Sequence, residues 1–262
     1  MNVSTVLLLI YLTMTVGVIL GEILGLPYLS LAAKTLAMPS LLGRSWQLWE
    51  GPSTKKYLLG SILLFSWIGD VLLIFAPDPN QEPTLIGISR HPFFFIGGLG
   101  SFLIAQLLYI RAFMEKPVKP PIGFPRWGYF FILGYGVGMI LYLWKALSFS
   151  PEKSSLRLPV VLYSVALLSM LASTASQKGR VNPRAFWMSF TGAVSFVLSD
   201  SLIGLNYLAW EKPMWGAGAW IFGTYAIAQF LLTEGLREKA KGTETPIYEN
   251  HLTCDPAALR RE

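Results

Sequence analysis

The chain is a series of apolar runs, each long enough to cross a bilayer and most followed by a short polar segment. The runs stay apolar on every side of a helix, as is typical of membrane helices and not of amphipathic helices in soluble proteins. They predict eight spans: Met1–Leu24, Tyr28–Trp46, Tyr57–Ala76, Phe93–Phe113, Trp127–Trp144, Leu158–Ala175, Ala185–Tyr207 and Ala217–Leu236. We expect an all-α fold, a polytopic eight-helix membrane bundle over residues 1–236, and a polar, disordered cytoplasmic tail over residues 237–262.

The composition supports a membrane protein and bears on disulfide and metal chemistry. Hydrophobic residues make up 53% of the chain and charged residues only 14%. The single cysteine, Cys254, cannot form an internal disulfide. The two histidines, His91 and His251, fall outside the predicted spans, so we expect neither a histidine metal site within the membrane nor a cofactor.

The basic residues indicate the orientation of the spans. Of the 21 Lys and Arg residues, fifteen fall on the side of the predicted termini, five fall on the other side, and Lys34 lies within a span. The positive-inside rule then places both termini in the cytoplasm. The net charge of +6 follows from this topology and from contact with anionic lipid, without a nucleic-acid partner. A multi-pass protein of the plasma membrane is expected if the source is bacterial.

Two spans are interrupted by one acid each. Asp70 lies in the segment SILLFSWIGDVLLIF and Asp200 in TGAVSFVLSDSLIGL. An ionisable side chain at membrane depth costs at least about 2.5 kcal/mol and usually faces a bundle interior or a water-filled cavity, where it marks a working site. Counted from the span ends, Asp70, Asp200 and Lys34 all lie roughly 9–11 Å below the noncytoplasmic surface.

These three ionisable groups allow two interpretations. In one, Lys34 pairs with an aspartate and the pair simply holds the bundle together. In the other, the group lines a substrate or ion pathway, and the acid that lacks a cationic partner is a proton donor, because removal from water favours the neutral form of a carboxyl. Trp67, one turn before Asp70, is expected to exclude water from that carboxyl, which favours Asp70 as the acid.

Other polar residues in the spans are candidates for the wall of a cavity. Individually, such residues more often form hydrogen bonds between helices. Tyr225 and Gln229 share a helical face, as do Gln106 and Tyr109, and such pairs suit a polar wall. The full set is Gln106, Tyr109, Tyr163, Asn206, Tyr225 and Gln229.

The order of these segments resembles the lysoplasmalogenase family, the YhhN-like multispan membrane proteins. Span three, with IGDVLLIF, is similar to the family's GD-x-x-LI segment, and span four carries the family pattern at Phe95, Gly98, Phe102 and Tyr109. Spans six, seven and eight and Lys34 also match in order, so the resemblance runs from about residue 34 to residue 232. One departure stands out: Gln106 replaces the histidine of the family pattern.

The resemblance implies hydrolysis of the vinyl ether bond of lysoplasmalogens to a fatty aldehyde and a glycerophospho-headgroup. Such hydrolysis starts with protonation of carbon and passes through an oxocarbenium-like cation that water captures, a task suited to two carboxyl groups. Asp70 would be the acid and Asp200 the base or stabiliser, or the reverse. Lys34 would hold the phosphate or act on an aspartate, and Gln106, Tyr225 and Gln229 would bind the headgroup or position water.

Other functions remain open on the sequence. The buried acids would also serve a lysolipid-binding protein or a proton-coupled transporter of lipids or solutes. A metal-dependent amidase on a similar bundle would need several histidines within the membrane, which the spans lack. A family member that binds lysolipid without cleaving it is the alternative that Gln106 raises.

Overall fold

The computed structural model describes residues 1–77, 84–114, 123–149, 151–212 and 214–241. Within these residues, eight long α-helices follow one another: α1 (Val3–Ile23), α2 (Pro27–Gln47), α3 (Ser53–Ile74), α4 (Pro92–Met114), α5 (Arg126–Ser148), α6 (Arg157–Ala175), α7 (Pro183–Ile203) and α8 (Ala217–Lys241). A 3₁₀ helix (Pro151–Leu156) precedes α6, and a π-helix (Gly204–Ala209) continues α7. Between α3 and α4, the short strands β1 (Thr84–Leu85) and β2 (Ile88–Ser89) pair antiparallel. The predicted all-α bundle is confirmed.

Six of these eight helices are long and apolar enough to cross a membrane: α1, α3, α4, α5, α6 and α7. Helices α2 and α8 are less apolar: α2 contains Lys34 and Arg44, and α8 has small and polar residues along its apolar part as well as a charged last third. All eight correspond in order to the predicted spans. Eight membrane crossings, and cytoplasmic termini with them, stay a prediction.

The helices form a closed ring with one helix outside it. Helix α1 packs on α2, α2 on α3, α3 on α4, α4 on α6, α6 on α7, α7 on α8, and α8 returns to α1. Helix α5 is the exception, because it packs on α6 and on the π-helix. The inward faces of seven helices therefore surround one interior, which holds both span aspartates.

Helix α8 extends beyond the span end predicted at Leu236 and reaches Lys241. Arg237, expected to begin the solvated tail, is only 6% exposed. Its guanidinium donates to the Leu48 carbonyl at 2.7 Å and to the Glu234 carboxylate at 2.8 Å. These bonds hold the end of α8 against the end of α2. The remainder of the predicted tail lies outside the described residues.

Glycines allow α7 and α8 to pack with their backbones close together. A Cβ atom at Gly192 would lie 2.8 Å from the Leu232 backbone nitrogen, and one at Gly235 would lie 2.8 Å from the Ser189 nitrogen. Small residues at such positions let membrane helices approach closely. The α7–α8 contact therefore depends on the absence of side chains here.

We expect Gly192→Ala to destabilise the protein by about 1–3 kcal/mol, because the new methyl group meets backbone that cannot move aside. Gly138→Ala is the matched control, since a Cβ at Gly138 meets nothing within 4 Å among the described residues. Thermal denaturation of both variants in one detergent measures the effect. Equal midpoints for the two variants would contradict the close packing of α7 on α8.

Candidate active site

A cavity of about 660 Å³ lies inside the ring of helices. Ionisable and phenolic side chains in its wall include Glu22 of α1, Lys34 of α2, Asp70 of α3, Asp200 of α7 and Tyr225 of α8. We call it the polar cavity. Its volume falls within the range of about 300–1,000 Å³ that is typical of small-molecule sites.

Asp70 is one of the two carboxyls in this wall and is 8% exposed. Its Oδ2 accepts a hydrogen bond from the Tyr225 hydroxyl at 2.9 Å. The Tyr225 ring is held edge-on by Phe102 and Phe196, with centroid separations of 5.7 Å for each pair. Because the phenol is fixed by this packing, it fixes the orientation of the Asp70 carboxyl in turn.

Asp200 is the second carboxyl and belongs to a hydrogen-bonded triad. Its Oδ2 accepts from the Tyr163 hydroxyl at 2.5 Å and, at the long distance of 3.4 Å, from Gln106 Nε2. Gln106 Nε2 also donates to the Tyr163 hydroxyl at 3.1 Å. The two carboxyls are close enough to interact electrostatically. Asp70 and Asp200 thus face one cavity from helices that are far apart in sequence.

Lys34 pairs with a glutamate and not with an aspartate, so the interpretation in which Lys34 and an aspartate form a structural pair is wrong. Its Nζ donates to Glu22 Oε1 at 2.7 Å, and the Ser30 hydroxyl donates to the same oxygen at 2.7 Å. The chain reverses at Gly25, whose φ of 66° favours glycine, and this turn brings α1 and α2 together. Lys34 still interacts electrostatically with Asp70.

Glu22 and Arg90 line the polar cavity but were not among the predicted site residues. Glu22 ends the first apolar run, where an acid suggests the membrane surface and not its interior. Arg90 follows β2 and donates to the carbonyls of Ile74 and Ala76, at 2.6 and 3.0 Å. These carbonyls end α3 and need donors, which explains the contact. The sequence could have pointed to Glu22 only through its position, since it is an acid on the helix that directly precedes the helix of Lys34.

Four of the predicted wall residues line neither the polar cavity nor the smaller cavity that adjoins it. Gln106 lies behind Asp200, and its Oε1 has no hydrogen-bond partner among the described residues. Tyr109 donates to Gln229 Oε1 at 2.8 Å, and Gln229 donates to the Ser66 hydroxyl at 3.0 Å. These side chains are fully buried and join α3, α4 and α8.

Asn206 has a different structural role. It lies in the π-helix, where its Nδ2 donates to the Leu202 carbonyl at 2.8 Å and its Oδ1 accepts from the Met214 nitrogen at 2.7 Å. The expectation that Gln106, Tyr109, Asn206 and Gln229 form the cavity wall is therefore corrected. Trp67 donates from its indole N–H to the Thr35 carbonyl at 2.9 Å, which joins α3 to α2; the exclusion of water from Asp70 by Trp67 stays a prediction.

A second cavity, of about 70 Å³, adjoins the first. We call it the apolar cavity. Tyr163 lines it, and most of its wall is aliphatic or aromatic side chains from α4, α5, α6 and α7. The two cavities share five wall residues: Leu73, Phe95, Phe102, Asp200 and Ile203. Asp200 is therefore the carboxyl at which the polar and the apolar cavity meet.

Comparison with known proteins gives three similar relatives. Two mycobacterial proteins named lysoplasmalogenase, from Mycobacterium bovis and Mycobacterium tuberculosis, are each 29% identical over 177 residues, or 64% of this chain and 59% of theirs. The human protein named lysoplasmalogenase TMEM86B is 28% identical over 208 residues, or 79% of this chain and 75% of its own. The chain thus spans about three fifths of the length of the mycobacterial relatives.

No solved structure matches the chain significantly. The YhhN family model matches residues 29–236, which include Lys34, both aspartates and the phenols bonded to them. This match covers most of the chain and confirms the family predicted from its motifs: the protein belongs to the YhhN family.

Proposed function

We propose that the protein is a membrane hydrolase that cleaves the vinyl ether bond of lysoplasmalogens, releasing a fatty aldehyde and a glycerophospho-headgroup. The observation that carries the proposal is that Asp70 and Asp200 line one cavity large enough for part of a lipid. The names of the mycobacterial and human relatives give the substrate class. Two carboxyl groups at one site match the acid and base steps that this hydrolysis needs.

In the proposed reaction, one carboxylic acid transfers its proton to the vinyl carbon next to the hydrocarbon chain. The double-bond electrons form the new C–H bond, and positive charge is shared between the other vinyl carbon and the ether oxygen. The second aspartate, as a carboxylate, stabilises this cation and accepts a proton from the water that attacks it. The resulting hemiacetal breaks its bond to the glycerol oxygen, giving the aldehyde and the alcohol.

The phenols that contact the carboxyls have a positioning role in this scheme. Tyr225 donates to one oxygen of Asp70 and Tyr163 to one oxygen of Asp200. In each carboxyl the other oxygen accepts no hydrogen bond from the described residues, so it is available to substrate or water. A fixed carboxyl orientation is what proton transfer at carbon requires, because the acid must be within hydrogen-bonding reach of its target.

The Glu22–Lys34 pair is the proposed headgroup site. Both side chains line the polar cavity and are partly exposed, at 13% for Glu22 and 23% for Lys34. The Lys34 ammonium would bind the lipid phosphate, and Glu22 would then be available to the ammonium group of an ethanolamine or choline headgroup. On binding, the ion pair between Lys34 and Glu22 would be replaced by two ion pairs with the zwitterionic headgroup, one at each side chain.

We expect Lys34→Ala to raise KM for the phosphate-bearing lysolipid about tenfold or more, since hydrogen bonds to charged groups contribute about 1.5–3 kcal/mol. Lys34→Arg keeps the charge and should recover most of the affinity. The matched substrate is 1-alkenylglycerol, which lacks the phosphate and should show little change in KM. An equal change for both substrates would argue against a phosphate contact at Lys34.

The alternative function is lysolipid binding or proton-coupled lipid transport without hydrolysis. Gln106 favours it, because glutamine cannot carry a proton as the histidine of the family pattern can. The purified protein, given a lysoplasmalogen and an ester lysophospholipid with and without chelator, distinguishes the two. Aldehyde released from the vinyl ether alone supports hydrolysis. Tight lysolipid binding or proton-coupled uptake into vesicles, without aldehyde, supports the alternative.

A further inference from the structure

The apolar cavity has no part in the chemistry described so far. It lies between α4, α5, α6 and α7 and has a wall of residues such as Met139, Leu143 and Val160. It meets the polar cavity at Asp200 and Phe102. A polar and an apolar compartment that meet at one carboxyl suit a ligand with a polar end, an apolar end and a reactive bond between them.

We propose that the apolar cavity binds the hydrocarbon chain of the lysolipid and opens sideways into the bilayer between α5 and α7. The identity of the lipid rests on the proposed function. Tyr135 of α5 lines the cavity and is also 46% exposed, which is the reason for placing the opening beside it. A volume of about 70 Å³ holds only the first carbons of a chain, and the remainder extends into the membrane.

The edge of this opening is held by one hydrogen bond between helices. The Tyr135 and Ser201 hydroxyls are 2.6 Å apart, and both residues line the apolar cavity. Helix α5 packs mainly on α6, the π-helix and the 3₁₀ helix, and it stands outside the ring. Movement of α5 away from α7 would therefore widen the opening, while the contacts that close the ring of the other seven helices do not involve α5.

This orientation of the lipid assigns roles to the two acids. Asp200 lines both cavities, whereas Asp70 lines only the polar one. With the chain in the apolar cavity, the chain-side vinyl carbon faces Asp200, which donates the proton, and Asp70 accepts a proton from the attacking water. When the hemiacetal breaks, Asp70 returns that proton to the glycerol oxygen and Asp200 takes the hydroxyl proton, so both acids regain their starting states.

Gly136→Leu tests the assignment of the apolar cavity. A side chain at Gly136 would overlap Leu168, and both positions line the cavity, so the substitution fills it whichever side chain moves. Gly138→Leu is the matched control, because Gly138 is on the same helix and a Cβ there meets nothing within 4 Å among the described residues. Ser164→Phe fills the same cavity from α6, and it replaces Gly136→Leu as the test variant if Gly136→Leu does not fold.

The full-length variants are assayed with two vinyl ether lysophosphoethanolamines, one with a long alkenyl chain and one, the short-chain substrate, with an ethenyl group that has no carbons beyond the double bond to place in the apolar cavity. Gly136→Leu should lower kcat/KM for the long chain at least about tenfold and change the short-chain value by less than about twofold. Gly138→Leu should leave both values unchanged. Equal losses for the two chains, or no loss for either in a folded variant, would overturn the proposal.

A binding experiment keeps this test separate from the test of hydrolysis. An uncleavable ether lysolipid with a photoreactive diazirine in its chain is bound to the full-length protein and irradiated, and the labelled peptides are identified by mass spectrometry. Labels on Met139, Leu143 or Val160 that disappear in Gly136→Leu support the chain site even if no aldehyde is ever released. Labels confined to other surfaces, with unchanged intensity in Gly136→Leu, would refute it.

Discussion

Asp200→Asn and Asp70→Asn are each expected to slow aldehyde release from a lysoplasmalogen by about 10²–10⁴-fold, the usual contribution of a positioned acid or base. Asparagine keeps the size of the side chain and an oxygen that can still accept from Tyr163 or Tyr225. It can neither deliver nor accept the proton of the reaction. The rate is measured as aldehyde formed by purified protein at saturating substrate.

Glu50→Gln is the control for this pair, because it makes the same chemical change at an acid whose side chain is 64% exposed and belongs to neither cavity wall. It should retain full activity. The double variant Asp70→Asn/Asp200→Asn should be little slower than either single variant, since the two acids act in one reaction. A folded Asp70→Asn or Asp200→Asn protein with near-normal activity would contradict the assigned chemistry.

Glu234→Gln is expected to lower the free energy of unfolding by about 3–5 kcal/mol, as the loss of one member of a buried ion pair does. The Glu234 carboxylate contacts both Arg44 and Arg237, and its side chain is 12% exposed. Glutamine leaves two buried guanidinium groups without a counter-charge. Denaturation of the variant in detergent, followed by loss of helical circular dichroism, measures the change.

The exposed pair Lys241–Glu50, with a separation of 3.1 Å, provides the comparison. Its side chains are 37% and 64% exposed, and such a pair contributes only about 0–1 kcal/mol. Glu50→Gln should therefore unfold like the parent protein. If Glu234→Gln were as stable as Glu50→Gln, the charged cluster would not be what holds α8 to α2.

The helices and the central pair of acids could be predicted because burial in a membrane requires long apolar runs, which are visible in the sequence. A long apolar run has few alternatives to a helix in lipid, and a single acid within such a run must face away from lipid. Asp70 and Asp200 each break an apolar run, so their meeting in one cavity follows from the depth of each along its span.

The partners of these residues could not be predicted in the same way. Glu22 stands at the end of a run, where an acid can also face water, so only the aspartates were considered as partners of Lys34. Gln106 and Gln229 lie in apolar segments, as the residues that line the polar cavity do. Whether such a side chain faces the cavity depends on the rotation of α4 or α8 about its own axis, which the sequence does not give. The ring itself depends on contact between α4 and α6, which are not consecutive in the chain.

The burial of Arg237 at the end of α8 could not be predicted from the sequence either. Its sequence context is charged on both sides, which is typical of a solvated tail, and its burial depends on Glu234 and on the Leu48 carbonyl of another helix. Contacts between distant segments leave no pattern in the local sequence.

The most direct test of the two-acid account is hydrolysis of a lysoplasmalogen in D₂O, with mass spectrometry of the aldehyde. Proton transfer to carbon by one aspartate, followed by capture of the cation by water, predicts a single deuterium on the aldehyde carbon next to the carbonyl. The parent protein should release this labelled aldehyde at least about a hundredfold faster than Asp70→Asn or Asp200→Asn. Aldehyde without deuterium at that carbon, or equal rates for the parent and both folded variants, would contradict it.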